Sequence, residues 1–304
     1  MTLKRIFFIF IIYFFSNNLL AQNKLDDCFI PSDSLNLIRK KTVLIAETSF
    51  TIASVIGLNQ LWYNDYPRSN FHFINDNKEW LQMDKIGHLF SAYHLGNVSK
   101  NALKWSGVSK KNQLLYGATY GFVFLTAVEV LDGYSEQWGA SNGDLIANAT
   151  GTGLLISQEI LWKEQRIVPK FSFHTTEFAS QRPNLLGNSI NEQILKDYNG
   201  QTYWLSANIN SFFKQSKIPN WFNIAIGYGA EGMIAGNDSF EVNYPNSPKR
   251  YRQFYLSFDA DLTKIKTKSQ LLKTVLSVFN TIKIPAPTVE FTGVGTIKFH
   301  YFYF

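Results

Sequence analysis

The chain has 304 residues, a formal net charge of +6 and a single cysteine, Cys28. That length allows one large domain or two modest ones, and one cysteine excludes an intrachain disulfide or a cysteine metal cluster. Charged residues make up only 17% while aromatics reach 16%. This balance points to buried or lipid-facing surface, and neither the mild charge nor any motif argues for nucleic acid.

Residues 1–21 read as a secretory signal peptide. Lys4 and Arg5 precede the short apolar run Ile6 to Phe15, and cleavage is expected after Ala21. Residues 22–34 form a polar linker. Leu25-Asp26-Asp27-Cys28 lacks the small residue that a lipoprotein signal places before its cysteine, so Cys28 reads as an ordinary thiol.

A helical domain is expected over residues 35–166. Its first helix runs from Leu35 to Tyr63, capped by Asp33 or Ser34, and its apolar stretch is long enough to span a bilayer. A loop follows from Asn64 to Asn77. The second helix is amphipathic and runs from about Asp84 to Trp105. The third runs from about Asn112 to Leu131. The fourth runs from Gly143 to about Glu164, with Ser141 or Asn142 as its cap. Gly143, Ala147 and Gly151 recur every fourth residue and mark a stripe of close helix approach.

Residues 167–200 read as an irregular connection, and residues 201–304 as β-rich. Thr202–Phe213, Phe222–Ile234, Arg252–Leu262 and Val289–Phe304 alternate like strands, and Ser269 to Asn280 like an amphipathic helix. Four strands cannot close a barrel. The fold class expected is therefore α+β: a four-helix, membrane-associated bundle followed by a small antiparallel sheet with one amphipathic helix.

If the helices run up and down, three polar groups meet at one end. Asp84 and His88 begin helix 2, Glu129, Asp132 and Glu136 lie at or just past the end of helix 3, and Asp144 and Asn148 begin helix 4. Within each helix, spacings of three or four put each group on one face. The other end collects Arg39, Lys40, Lys41, Lys100, Lys104, Lys110, Lys111, Lys163, Arg166 and Lys170, a basic rim suited to anionic head groups. Trp62, Trp80, Trp105, Trp138 and Trp162 fall near helix ends, as interfacial anchors do.

The order Asp84-Lys85 with His88, an acidic helix end, then Asp144 with Ala147, Asn148 and Gly151 resembles the YfiM-like family of predicted periplasmic or outer-membrane lipoproteins, whose function is unknown. It is also similar to the motif order of VanZ-like membrane proteins, which carry a glutamine near the acidic residue; here Gln137 follows Glu136. The resemblance covers roughly residues 40–165 and implies an envelope protein without supplying a chemistry.

The polar cluster has two bottom-up readings. One is a hydrogen-bonded network that fixes helix register. The other is a functional centre, with Asp84, His88, Glu129, Asp132, Asp144 and Asn148 as candidate catalytic residues or oxygen-rich cation ligands. No cofactor is specified. His94 reads as a surface residue, and His72, His174 and His300 have no partner in the sequence. The function expected is an exported, membrane-associated envelope protein with a structural or interaction role, on the periplasmic side and favouring the outer membrane. Membrane lipid is the partner, and nucleic acid is not. The alternative is a membrane-embedded hydrolase or transferase acting on an envelope lipid or glycan precursor.

Overall fold

The computed structural model describes residues 25–64, 66–214, 217–237 and 247–304. The signal peptide at 1–21 lies outside the described residues. Helix α1, Leu37–Leu58, continues as a wider turn through Asn59–Tyr63. Its cap is Asn36, whose side chain accepts from Arg39 N, rather than Asp33 or Ser34. Helix α2 spans Met83–Trp105, α3 Tyr120–Gly133 and α4 Asn142–Leu161. A helical turn at Lys110–Asn112 and a wider one at Gln113–Gly117 lead into α3. Ser141 caps α4 by accepting from Asp144 N at 3.2 Å.

Helices α2, α3 and α4 pack tightly because small residues face backbones. A Cβ at Gly151 would come within 2.1 Å of Leu89 O, and one at Gly121 within 2.2 Å of Ala92 O. Tyr93, Ala118 and Leu155 fill the seam, while Ala92 packs with Phe124 and Leu125. Helix α1 contributes little burial; Val43 meets Leu103 and Val108, and Phe50 meets Phe124. Its Ile38, Ile45, Ile52 and Ile56 stay exposed. Strands β1, Phe73–Ile74, and β2, Ala140–Ser141, pair in parallel and tie the loop before α2 to the start of α4.

The sheet has six antiparallel strands in sequential order: β3 Ile167–Phe173, β4 Gln201–Asn208, β5 Phe222–Glu231, β6 Tyr251–Ala260, β7 Ala286–Thr292 and β8 Ile297–Tyr303. Residues 167–173, read as irregular connection, form an edge strand, which accommodates Pro169. The single strand read over Val289–Phe304 is a hairpin, turning at Gly295 with φ +85. Helix α5, Gln270–Phe279, lies where the sequence places it.

The polarity of this sheet is inverted. One row across five strands pairs Leu205, Ile226, Leu256, Val289 and Phe299; four of these are exposed and Val289 is half-buried. The adjacent row, Ser206, Ala225, Ser257, Thr288 and His300, faces inward. The inner side also buries Lys170 against Asp259 at 2.8 Å, and Asn208 against Asn223. The sheet curls enough for the Tyr303 hydroxyl on β8 to reach Tyr255 on β6 at 2.8 Å and Thr202 on β4 at 3.2 Å. Helix α2 packs its first residue, Met83, with Tyr228 and Ala230 of β5, and covers the outer side near β3 and β4, where the Phe90 ring packs tilted against Phe171 and Tyr203. There His94 is enclosed, with Nε2 donating to Pro169 O at 2.7 Å, so it is an interface residue and not a surface one.

Candidate functional site

Three helix ends build the site, and two loops close it. Before α2, residues Trp80, Leu81 and Gln82 have φ of 48, 49 and 67, a left-handed turn that ordinary side chains rarely adopt. The sheet holds this turn in place. Tyr228 donates to Leu81 O, and Arg252 donates to Gln82 Oε1 at 2.7 Å. The first turn of α2 is thereby aimed into the protein.

Lys85 lies at the centre. Its Nζ is 2.5 Å from Asp76 Oδ2, 3.1 Å from Asp144 Oδ2 and 3.4 Å from Asp84 Oδ2. Asp84 lies in the first turn of α2, where its Oδ1 accepts from the Tyr198 hydroxyl at 2.8 Å. His88 Nδ1 lies 3.0 Å from Asn148 Oδ1, and its Nε2 lies 3.6 Å from Glu129 Oε1 and 3.9 Å from Asp84 Oδ1. Glu129 Oε2 accepts from Ser141 N at 2.8 Å, and Ser141 Oγ donates to Asp76 Oδ1 at 2.6 Å. Asp132 stands to one side, accepting from the Tyr63 hydroxyl at 2.6 Å.

The electrostatics follow from several acids sharing two cations in a mostly buried space. Burial works to push the Asp84 carboxyl up, but His88 and Lys85 outweigh it and hold Asp84 below the usual carboxylate range. Burial works to lower the His88 imidazole, while Asp84, Asp144 and Glu129 outweigh it and raise it. Lys85 is likewise raised against burial by Asp84, Asp144 and Asp76. Asp144 is pushed up to about 7 by burial and by Asp84, against the pull of His88 and Lys85.

Asp84, His88, Glu129, Asp144 and Asn148 therefore come together, with Asp132 at the margin. Glu136 is exposed and lies outside the site. Sequence reasoning missed Asp76, Tyr63 and Tyr198 and left Lys85 without a role. Lys85 was within reach, because it adjoins Asp84 at the start of α2; Tyr198 comes from a distant connection and left no signal. The basic end also needs correction. Lys100 is buried and bonded to Glu159 at 2.6 Å, and Lys110 reaches the same carboxylate. His300 also has a partner, Glu290 Oε2 at 2.7 Å. Trp80 packs against Tyr198, and Trp105 donates to Cys28 O at 2.7 Å, so neither is a simple interfacial anchor.

Fold and site define an α+β protein with a buried carboxylate–lysine–histidine centre beside an inverted sheet. Residues 72–158 match the family described as predicted periplasmic lipoprotein (DUF2279). The matched stretch holds Asp76, Asp84, Lys85, His88, Glu129, Asp132, Asp144 and Asn148, and the sheet lies beyond it. That similarity fits an exported envelope protein of uncharacterised role. No curated protein and no solved structure matches the chain.

Proposed function

We propose that this is a membrane-seated envelope protein with a structural or interaction role, in which the outer side of the sheet and helix α1 face lipid. The observation that carries the reading is the inverted sheet. A water-facing sheet buries apolar side chains and exposes polar ones; this one buries Ser206, Asn223 and Asp259 and exposes Ile226, Leu256 and Phe258. Lipid rewards that arrangement and water penalises it. The exposed face of α1 and the apolar face of α5, with Leu272, Val275 and Phe279, add to the same surface. Both Leu37–Leu58 and Lys110–Gly133 have the length and apolarity of a membrane-crossing helix.

On this reading the four helices act as one membrane-associated bundle, and Asp84, His88, Glu129, Asp144 and Asn148, with Asp132 beside them, act as one unit. The outer membrane is the favoured seat; the six strands form an open sheet that lies against lipid by its apolar side without spanning it. The resemblance to the YfiM-like family agrees with it. The test is fractionation of the full chain. The protein should stay in the membrane pellet through high-salt and alkaline washes and leave it only with detergent. Recovery in the salt-washed soluble fraction would overturn the proposal.

One observation favours a second reading, hydrolysis or group transfer on an envelope lipid or glycan precursor. Asp84, His88 and Asp144 each bring a carboxylate or imidazole atom within 4.8 Å of the other two, the grouping that proton transfer needs, and burial with Asp84 beside it raises the Asp144 carboxyl. Turnover of lipid-linked phosphate or glycan substrates that is lost in Asp144→Asn would support it, and equal rates in the two proteins would remove it.

A further inference from the structure

The centre holds more acid than base. Asp76, Asp84, Glu129, Asp132 and Asp144 gather around one lysine and one histidine. Lys85 is committed to the Oδ2 atoms of Asp76, Asp84 and Asp144. Asn148 lies against His88 Nδ1 at 3.0 Å, and Nε2 is the nitrogen turned to the acids. The 3.6 and 3.9 Å separations from Glu129 and Asp84 are too long for hydrogen bonds.

A second observation is independent of the charge count. Asp144 is 3% exposed, and its Oδ1 has no hydrogen-bond partner among the described residues. A buried carboxylate oxygen without a partner is costly in a protein interior. One ligand atom from each of Asp84, His88 and Asp144 lies within 4.8 Å of the other two.

We propose that Asp84, His88 and Asp144 bind one divalent transition-metal cation of the zinc class. Tetrahedral ligands at about 2.0–2.2 Å from zinc stand roughly 3.3–3.6 Å apart; His88 and Asp84 are 3.9 Å apart and the whole set lies within 4.8 Å, so the side chains must draw in on binding. Imidazole with carboxylates suits zinc and its neighbours, whereas calcium and magnesium prefer oxygen alone. The donors are already held by hydrogen bonds. Asn148 holds His88, as second partners of metal-bound imidazoles do. Tyr198 donates to Asp84 Oδ1, the oxygen that also faces His88, and Lys85 donates to the Oδ2 atoms of Asp84 and Asp144. A cation at this point offsets the surplus acid and gives Asp144 Oδ1 a partner.

The experiment uses the full chain in detergent, stripped with a chelator and titrated with Zn2+ alone. One equivalent should bind, and X-ray absorption at the zinc edge should show one imidazole with oxygen ligands. His88→Gln and Asp144→Asn should each weaken binding at least about tenfold, while His72→Ala leaves it unchanged. If either site variant misfolds, the wild type decides alone: its melting temperature should rise with Zn2+ and fall back with chelator. Absence of binding, a shell of several imidazoles, or unchanged affinity in folded His88→Gln would overturn the proposal.

Discussion

His88 Nε2 stands 3.6 Å from Glu129 Oε1, joining the start of α2 to the end of α3. Removing the imidazole leaves Glu129 and Asp84 facing each other without their shared cation. His88→Ala should cost about 2–4 kcal/mol, somewhat less than the roughly 3–5 kcal/mol for breaking a close buried ion pair, because the separations are 3.6 and 3.9 Å. A double-mutant cycle with Glu129→Gln, read by urea unfolding, should show favourable coupling between the two; additive losses would mean that they do not interact.

At the other end of the helices, Glu159 serves two lysines unequally. Burial pushes Glu159 up, yet hydrogen bonds from Lys100, Lys110 and Gln165 hold it at about 2. Lys100 is buried, while Lys110 is largely exposed. Glu159→Ala strands a buried ammonium and should cost about 3–5 kcal/mol, whereas Lys110→Ala should cost about 1 kcal/mol or less. Chemical denaturation of the two variants side by side checks the ratio.

The seams between α2 and its neighbours have no room for a methyl group. Gly151→Ala drives a carbon toward Leu89 O, and Gly121→Ala drives one toward Ala92 O, both backbone atoms that cannot rotate away. Each should destabilise by about 1–3 kcal/mol as overpacking. Gly153→Ala, where a Cβ meets nothing within 4 Å, should be neutral or slightly stabilising. Thermal melts of the three variants make the comparison.

His94 makes stability depend on pH. Burial holds its imidazole down to about 4, with Lys170 acting the same way and the Pro169 carbonyl opposing them. The folded value is below the unfolded value of about 6.5, so the unfolded chain takes up the proton first. The contribution is fully present above about pH 6.5 and falls as pH drops toward 4, by about 3 kcal/mol in all. Denaturant midpoints between pH 7 and 4.5 should decline, and His94→Phe should flatten that decline.

The helices and their meeting point were legible because period and alternation of direction are local properties, whereas of the expected caps only Ser141 holds its helix. Asp84, His88, Glu129, Asp144 and Asn148 converge because each lies within a turn or so of a helix end on the same side. Asp76 and Tyr198 were not legible, since the β1–β2 pair and the packing of the connection on α2 decide their positions. Strand β3 was hidden by Pro169 and its short length, and β7 and β8 read as one because the turn at Gly295 interrupts a continuous alternation. Alternation shows which side chains share a face of a sheet. It does not show which face is buried, so the inversion emerged only from the curl that encloses Ser206, Asn223 and Asp259.

Lipid contact of the sheet can be read residue by residue. Spin labels placed singly at Leu205, Ile226 and Leu256, in a Cys28→Ser background reconstituted into lipid vesicles, should relax strongly with oxygen and weakly with a water-soluble nickel chelate. Labels at the exposed α4 positions Ala149 and Thr150 provide the comparison on the helical half. Strong nickel relaxation at Leu205, Ile226 and Leu256, equal to that of a label free in water, would contradict a lipid-facing sheet.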